Sequence, residues 1–277
     1  MGNRYAIIGA GGYIAPRHMA AIQSIGGQIV LACDESDSVG ILDSFEDKQE
    51  SLIQFTTSPN DFFQRLTDRV VDTVVVVTPN GQHTSHAVTA LMAGCDVVVE
   101  KPLGICGEDA DKFIQHAKDY QNTVYPVVQL RHHPHLGLLR DGNHPLVQID
   151  YGVYRGDWYH RSWKGNEISS GGLLMNLGVH LFDLCIHLWG EARAIDDVKI
   201  TPTEASGVTI HEHADVEWSL ACNQRPTRRV FKVNGHSLDM SSQIGKLHEA
   251  VYRDMKPWPL EDVARAIHLI DRIKRAA

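Results

Sequence analysis

The first sixteen residues of the chain most strongly constrain its fold. A short apolar run at residues 5–8 leads into the glycine-rich segment 9–13 (GAGGY), and Pro16 then opens a stretch with helical spacing. This order predicts a strand, a tight turn and a helix. Glycines let the backbone approach a pyrophosphate closely, and the turn aims the helix N-terminus at the negative charge. The segment therefore predicts a dinucleotide-binding turn.

The glycine spacing is an imperfect match to the dinucleotide fingerprint. Gly9-x-Gly11 fits, but Gly12 comes early and Ile14 stands at the third glycine position. A second apolar run, residues 28–33, ends in Asp34. This acid lies about 20 residues further on, where the fingerprint expects a carboxylate for the ribose hydroxyls. The alternative is a tight turn with a surface aspartate, and the context favours the dinucleotide.

Strand and helix patterns alternate over residues 1–123. The run 73–78 is β-branched throughout and 96–99 is equally apolar, as in strands buried on both faces. Helical patterns cover residues 84–93 and 108–120. This alternation predicts an α/β fold, a doubly wound parallel sheet of the Rossmann type, with ligands at the carboxyl ends of its strands.

The pattern changes in residues 124–277, which we predict to be a second domain for substrate binding and oligomerisation. Residues 147–154 alternate apolar and polar side chains, as in a strand with one buried face. Segments 208–221 and 229–233 are similar. We predict an α+β domain with an open mixed or antiparallel sheet. The amphipathic final helix, residues 260–273, is a candidate to pack back on the first domain.

Composition excludes several classes of protein. The chain of 277 residues carries a net charge of −8, which argues against non-specific nucleic-acid binding. Its apolar runs are too short to span a bilayer, and no signal region precedes the first strand. Five scattered cysteines without a CxxC pair indicate reduced thiols. We therefore expect a cytoplasmic protein that binds neither nucleic acid nor membrane.

A high histidine content raises the question of a metal site. The densest of the sixteen histidines lie in 132–135 (HHPH) and 211–213 (HEH), and neither group has a recognised zinc spacing. His211 and His213 would share one face of a strand. A polar strand face or a subunit contact is the favoured interpretation, and we expect no metal.

Two residues are candidates for proton transfer. Lys101 follows a buried strand and precedes a proline, so burial near a cationic nicotinamide would lower its pKa and suit it to this role. The alternative is a lysine that only pairs with Glu100. His180 lies behind a glycine-rich turn, near the start of a helix that runs to Trp189. It can face a cleft, or it can be a polar helix start in contact with water.

Taken together, these features resemble the glucose–fructose oxidoreductase/inositol dehydrogenase family. The shared features are the glycine turn, Thr78-Pro79-Asn80 with His83, Glu100-Lys101-Pro102 and a later Gly-x-His. The resemblance is strongest to its branch of UDP-N-acetyl-2-amino-2-deoxyglucuronate 3-dehydrogenases. It rests there on residues 9–19 (GAGGYIAPRHM), 37–41 (DSVGI), 129–134 (QLRHHP), 158–165 (WYHRSWKG) and 170–183 (SGGLLMNLGVHLFD).

The resemblance implies roles for individual residues. Lys101 and His180 fall on the catalytic lysine and histidine, and Asp34 on the acid that favours NAD over NADP. Cofactor contacts are expected at Gly9, Gly11, Gly12, Tyr13, Ile14, Asp34, Ser36, Thr78, Pro79, Asn80, His83, Glu100, Lys101 and Gln129. Substrate contacts are expected at Lys101, Arg131, His133, Tyr159, Ser162, Trp163, Lys164, Asn176 and His180. The segment around Trp163 has a surface loop as its alternative interpretation.

At position 176 this sequence departs from the family that it resembles. Many members of that family carry an aspartate four residues before the histidine, where this chain has Asn176. An amide orients a hydroxyl but cannot act as a base, so Lys101 and His180 are the candidates for the general base. An asparagine is expected in the nucleotide-sugar branch.

The implied function is oxidation of the 3-hydroxyl of a UDP-linked N-acetylated hexosaminuronic acid by NAD. The expected setting is lipopolysaccharide precursor synthesis. The alternatives are a dehydrogenase of a free sugar, inositol or diol, and a non-catalytic NAD-binding regulatory protein. A metal-dependent hydrolase is the least favoured. We expect a homo-oligomer, dimer or tetramer, because the open sheet leaves a face to cover.

Overall fold

Two six-stranded sheets organise the molecule. The computed structural model describes residues 3–37, 40–46, 52–67, 71–139, 144–238 and 244–277. Residues 38 and 39 of the motif 37–41 lie outside these described residues.

The first sheet has the strand order of a Rossmann fold. All its strands are parallel, in the order β3-β2-β1-β4-β5-β6. The strands are β1 (Arg4–Ile8), β2 (Gln28–Cys33), β3 (Gln54–Thr56), β4 (Thr73–Val76), β5 (Asp96–Glu100) and β6 (Val124–Val127). The helices between them are α1 (Ala15–Ser24), α2 (Asp43–Glu46), α3 (Pro59–Thr67), α4 (His83–Met92) and α5 (Gly107–Ala117). This confirms the predicted α/β class and the doubly wound parallel sheet.

Alternating side chains of the central strands fill two separate cores. Val74 and Val76 pack with residues of α3, α4 and α5, whereas Val75 packs with Met19 and Ile22 of α1. All four residues of β4 are buried, as expected of a strand covered on both faces. Burial on both faces explains why the β-branched run was recognisable.

The predicted domain boundary at 123/124 cuts through this sheet. Val124–Val127 pairs with β5 and is the edge strand of the first sheet rather than part of the second domain. A division after residue 127 keeps the sheet whole.

The second sheet is mixed, as predicted. Its order is β12-β11-β7-β10-β9-β8, with β7 and β10 parallel and the other neighbours antiparallel. The strands are β7 (Leu146–Tyr154), β8 (Ala192–Ile200), β9 (Glu204–His211), β10 (Asp215–Ala221), β11 (Asn223–Val233) and β12 (His236–Ser237). The helices are α6 (Asp157–Arg161), α7 (Glu167–Ser170), α8 (Val179–Trp189), α9 (Ile244–Asp254) and α10 (Leu260–Ala276).

Helix α8 covers one face of the second sheet. Phe182 of α8 meets Trp218 of β10 edge to face, with ring centroids 5.3 Å apart. The stretch Glu167–Trp189 is long and apolar enough by composition to cross a membrane, but 72% of its apolar window is buried inside the protein. Such burial is typical of a core helix.

The last two helices return to the first sheet. Tyr252 of α9 is buried in the core under α1. Asp271 of α10 accepts a hydrogen bond of 2.7 Å from the backbone N–H of Gly107, at the start of α5. Arg272 of α10 also donates to the carbonyl oxygen of Ala192, at the start of β8, at 2.6 Å, so the C-terminal helices contact both sheet units.

Candidate active site

A cleft of about 910 Å³ lies where the carboxyl ends of the first sheet meet the second unit. From the first unit it is lined by the glycine turn and by the ends of β2, β4 and β5. From the second unit it is lined by the end of β7, by α6 and the segment after it, and by the start of α8. Ligands bind at this edge of doubly wound sheets.

The glycine turn depends on the absence of side chains. Gly9 has φ +94°, and a Cβ there would lie 2.7 Å from the carbonyl of Val77. A Cβ on Gly12 would lie 3.1 Å from the carbonyl oxygen of Gly9. Ile14 precedes the first turn of α1, and Pro16 lies within that turn. Gly9, Gly11, Gly12, Tyr13 and Ile14 all line the cleft, as predicted for a phosphate-binding turn.

Asp34 lies beside this turn. One of its carboxylate oxygens accepts the backbone N–H of Gly11 at 2.8 Å, and the other accepts that of Ser36 at 3.0 Å. Asp34 lines the cleft, whereas the exposed Ser36 does not. The carboxylate occupies the position that the fingerprint gives to the adenosine ribose acid.

The predicted residues after β4 join two strand ends. His83 contacts the carbonyl oxygens of Thr78, at 2.7 Å, and Pro102, at 2.8 Å, through its two ring nitrogens. Both ring nitrogens are thus bonded to backbone carbonyls inside the protein, so His83 connects the two strand ends that border the cleft. Thr78, Pro79 and Asn80 line the cleft directly.

Gln129 carries an unused acceptor. Its side chain is buried and lines the cleft, and its Oε1 atom has no hydrogen-bond partner among the described residues. Buried polar atoms normally have partners. A carboxamide such as that of nicotinamide offers the missing donor. The backbone N–H groups of Tyr13 and Ile14, which have no partner among the described residues, are available to a diphosphate. These residues fit NAD.

The two candidate proton acceptors share the inner end of the cleft. Lys101 follows β5, and His180 lies in the first turn of α8, directly after a π-helical turn, Leu174–Gly178. Such turns often occur at functional sites. Burial lowers the pKa of Lys101, although the Glu100 carboxylate opposes this. Burial, followed by the nearby Lys101 charge, holds the pKa of His180 well below its usual value.

Asn176 connects the two units across the cleft. Its Nδ2 donates to the carbonyl of Lys164 at 3.0 Å and to Tyr159 Oη at 3.2 Å, and its Oδ1 accepts from Asn80 at 3.3 Å. Ser162 uses its hydroxyl within the same segment, donating to the Tyr159 carbonyl at 2.9 Å. Tyr159, Ser162, Trp163, Lys164 and Asn176 all line the cleft, so the segment around Trp163 is a cleft wall.

Two predicted substrate residues lie elsewhere. Arg131 is buried and forms a two-pronged ion pair with Asp183, with Nε to Oδ2 at 3.0 Å and NH2 to Oδ1 at 2.6 Å. His133 is also buried, and its Nδ1 accepts the His135 N–H at 3.3 Å. Neither residue lines the cleft. The structure therefore places both residues outside the cleft lining, and their contact with substrate stays a prediction that this placement does not support.

Sequence reasoning missed three arginines of the cleft. Arg17 on α1, Arg155 after β7 and Arg229 on β11 line it beside Lys101 and Lys164. These five basic side chains face three acidic ones, Asp34, Glu35 and Glu100, although the whole chain is acidic. Arg155 Nε is buried without a hydrogen-bond partner among the described residues. The position of Arg155, just past a strand end, was the available signal.

Neither histidine group of the sequence, 132–135 or 211–213, has ligand-like spacing in the part of the chain that the structure describes. His211 is buried, and its Nδ1 contacts the Gly190 carbonyl at 2.8 Å, while His213 is exposed. Among the described residues, ligand-like spacing occurs instead in a buried group of His18, Glu100 and His248.

Sequence comparisons identify both units. The model of an oxidoreductase family, in its part described as the NAD-binding Rossmann fold, matches residues 3–127. The part described as the family's C-terminal α/β domain matches residues 142–202.

Solved structures cover nearly the whole chain. The WlbA (WbpB) dehydrogenase from Thermus thermophilus, in complex with NAD and α-ketoglutarate, superposes with a TM-score of 0.91 at 32% identity, covering 99% of this chain and 96% of that one. Its complex with NAD and UDP-GlcNAcA gives 0.88 at 34%, covering 97% and 94%. The WlbA dehydrogenase from Bordetella pertussis gives 0.82 at 19%, with 100% and 95% covered, a likeness of fold.

Curated relatives match over shorter segments. Scyllo-inositol 2-dehydrogenase (NADP(+)) IolW of Bacillus subtilis is 29% identical over 140 residues, which are 46% of this chain and 37% of that protein. Glucose-6-phosphate 3-dehydrogenase of Bacillus subtilis is 24% identical over 234 residues, which are 77% of this chain and 63% of that protein. The chain thus spans less than two thirds of the length of these relatives.

Proposed function

We propose that this chain, which belongs to the glucose–fructose oxidoreductase/inositol dehydrogenase family of NAD-dependent oxidoreductases, oxidises the 3-hydroxyl of a UDP-linked N-acetylated hexosaminuronic acid. The observation that carries the proposal is a nucleotide cleft with a basic wall in an otherwise acidic protein. The Thermus thermophilus relative, known with NAD and UDP-GlcNAcA, supports it.

Residues of the first unit hold NAD in this proposal. The backbone N–H groups of Tyr13 and Ile14 at the end of the glycine turn bind the diphosphate, Asp34 binds the adenosine ribose, and Gln129 receives the carboxamide through its unpartnered Oε1. When bound, NAD supplies the acceptor for a hydride.

Residues of the second unit hold the sugar nucleotide. Its diphosphate and carboxylate carry negative charge, which the side chains of Lys164, Arg155 and Arg229 attract. Asn176 is fixed by Tyr159, Lys164 and Asn80, so it is placed to orient a sugar hydroxyl but cannot act as a base.

Lys101 or His180 accepts the hydroxyl proton as the carbon is oxidised. Burial lowers the pKa of both groups, which shifts each of them toward the neutral form that can accept a proton. Positioned bases typically contribute about 100- to 10,000-fold to a rate. Substitution of each residue in turn, Lys101→Met and His180→Asn, separates the two assignments.

The first experiment follows NAD reduction by absorbance. Purified protein is mixed with NAD and UDP-GlcNAcA, with UDP-GlcNAc and myo-inositol in parallel. We expect NADH from UDP-GlcNAcA and a much slower reaction with UDP-GlcNAc, which lacks the carboxylate. Equal rates with both UDP sugars would refute recognition of the uronate, and reaction with myo-inositol alone would refute the nucleotide-sugar assignment.

The proposed product is a 3-keto sugar for surface-polysaccharide synthesis in the cytoplasm. The α-ketoglutarate complex of the Thermus thermophilus relative supports a 2-keto acid as the oxidant that regenerates NAD. The 2-keto acid would take the hydride and a proton and leave as the 2-hydroxy acid. Consumption of NADH on addition of α-ketoglutarate, with formation of 2-hydroxyglutarate, tests this step.

The curated relatives favour a second candidate, oxidation of a free polyol or sugar. Scyllo-inositol 2-dehydrogenase and levoglucosan dehydrogenase are similar to 46% and 53% of this chain, respectively. The myo-inositol reaction above separates this candidate from the first.

A homo-oligomer is part of the proposal. Half-buried apolar side chains on the open side of β9, Val208 and Ile210, lie opposite the face that packs on α8. A second copy would cover them. Analytical ultracentrifugation is expected to give a dimer or a tetramer, and a monomer at micromolar concentration would refute it.

A further inference from the structure

A buried chain of hydrogen bonds runs behind Lys101. The Tyr252 hydroxyl lies 2.8 Å from His18 Nδ1, and His18 Nε2 lies 2.9 Å from Glu100 Oε1. The other carboxylate oxygen, Glu100 Oε2, accepts the backbone N–H of Lys101 at 3.1 Å. These hydrogen bonds join α1, α9 and the end of β5. The side chains of Tyr252, His18 and Glu100 are all buried in the first unit.

The protonation states of Tyr252 and His18 determine which group donates in each hydrogen bond. Burial raises the pKa of Tyr252 well above its usual value, so its hydroxyl keeps its proton and donates to Nδ1. Burial also lowers the pKa of His18, despite the nearby carboxylate, so the ring is neutral. A neutral ring that accepts at Nδ1 must carry its proton at Nε2. His18 therefore donates to Glu100.

Glu100 is an ionised carboxylate at the centre of this chain. Burial alone would raise its pKa, but the hydrogen bond from His18, the neighbouring His248 ring and the positive charge of Lys101 hold it well below the usual range. His248 Nε2 lies 3.6 Å from Glu100 Oε1, beyond hydrogen-bond distance. The ligand-like spacing of this group thus comes from two histidine rings that lie beside one carboxylate.

We propose that His18 and Tyr252 are positioning residues that hold the Glu100 carboxylate on the backbone N–H of Lys101, so that helices α1 and α9 place the catalytic lysine. This inference rests on the role of Lys101 in the proposed function. Neither His18 nor Tyr252 lines the cleft, so both act through Glu100.

The groups around Lys101 explain why a buried carboxylate is needed beside it. Lys101 is surrounded by groups that oppose its charge or leave it unpaired: Arg155 after β7 is cationic, and His180 on α8 is neutral. Among the described residues, Glu100 is the carboxylate that shifts the pKa of Lys101. A carboxylate that turned away would release the backbone N–H of Lys101 and displace the lysine from the reacting hydroxyl.

The experiment compares a variant that removes the hydrogen-bond donor of His18 with a variant that keeps a donor in its place. His18→Leu removes the donor, whereas His18→Gln keeps an N–H donor near the place of Nε2. We expect His18→Leu to lower kcat roughly 10- to 100-fold, the effect of one hydrogen bond to a charged group, with the NAD dissociation constant within about threefold of wild type. His18→Gln is expected to recover kcat to within about threefold of wild type.

A matched control separates position from stability. His211→Leu removes another buried histidine from the second sheet, away from the cleft. It is expected to lower the melting temperature without changing kcat. Equal losses of kcat in His18→Leu and His18→Gln, or an unchanged kcat in both, would overturn the proposal.

A readout without substrate keeps the test independent of the proposed function. The rate at which acetic anhydride labels Lys101, followed by mass spectrometry, reports the position and protonation of that amine. We expect a changed rate in His18→Leu and in Tyr252→Phe, which leaves the ring in place and guards against misfolding, but not in His18→Gln. An unchanged rate in both variants overturns the inference, and so does a stoichiometric metal that His18→Gln removes. If wild type oxidises no UDP sugar while labelling behaves as expected, only the substrate assignment fails.

Discussion

At the scale of single residues, Lys101 and His180 carry the sharpest prediction. Lys101→Met and His180→Asn are each expected to lower kcat by about 100- to 10,000-fold, because each removes a buried group able to accept the proton. NAD affinity, measured by fluorescence titration, should stay close to wild type because the glycine turn and Asp34 are untouched. The variant with the larger loss identifies the proton acceptor.

Two surface variants serve as controls for this pair. Lys118→Met alters an exposed lysine that pairs with Glu261 at 3.0 Å, and His213→Asn alters an exposed histidine. Both should retain wild-type turnover. Wild-type turnover by the Lys101 and His180 variants would refute the catalytic assignment.

Lys164 gives a prediction about pH. Burial, followed by the charges of Arg155 and Lys101, lowers the pKa of Lys164 to about 8. The side chain is cationic below that pH and loses its charge as the pH rises through it. We therefore expect kcat/KM for UDP-GlcNAcA, which reports the free enzyme, to fall above about pH 8. Lys164→Arg should keep its charge and lose this decline, and an equal decline in both proteins would contradict the assignment.

Several predicted residues that line the cleft lie next to strand ends. Asp34 and Lys101 follow buried strands directly, so the parallel sheet itself brings them together. The ion pair of Arg131 was not predicted because its partner, Asp183, lies 52 residues away and no local pattern indicates the pair. His18 and Tyr252 were missed for the same reason, since 234 residues separate them.

At the scale of elements, the turn between β1 and α1 can be tested through two glycines. Gly9→Ala introduces a Cβ 2.7 Å from the Val77 carbonyl, and backbone there cannot move without shifting β4. Gly94→Ala also has a positive φ, +81°, but its Cβ meets nothing within 4 Å. Gly94→Ala should thus lower the unfolding free energy by about 1–2 kcal/mol, and Gly9→Ala by more.

The cofactor separates the two glycine variants further. Displaced amides lose hydrogen bonds to the NAD diphosphate, so Gly9→Ala is expected to weaken NAD binding by roughly tenfold or more, as judged by calorimetry. Gly94→Ala should bind NAD like wild type. Normal binding by Gly9→Ala would mean that this turn does not hold the diphosphate.

Elements with a strong period were predictable, and those defined by distant partners were not. The β-branched run of β4 and the alternation of β7 were recognised because burial imposes those patterns. Strand β6 was assigned to the wrong unit, since an apolar run of four residues does not reveal its neighbour in a sheet. Helix α9 was not anticipated at all, and its place is set by packing on α1.

At the scale of the whole molecule, Arg131 and Asp183 hold the two units together. Arg131 lies in a 3-10 turn after the first sheet, and Asp183 lies on α8 beside the second. Trp258, ahead of α10, stacks 4.8 Å from the guanidinium. One ion pair thus connects three segments of the chain where the units meet. We expect it to stabilise the folded protein rather than to contribute to substrate binding.

Removing one partner of this pair tests that view. Arg131→Met leaves Asp183 buried without its partner and is expected to lower the unfolding free energy by about 3–5 kcal/mol, measured by urea titration. The KM for UDP-GlcNAcA should change less than about threefold, since neither side chain carries substrate charge in the cleft. The double variant Arg131→Met/Asp183→Leu removes both charges and should recover part of the lost stability. A large rise in KM with unchanged stability would instead return Arg131 to the substrate site, as the sequence alone had indicated.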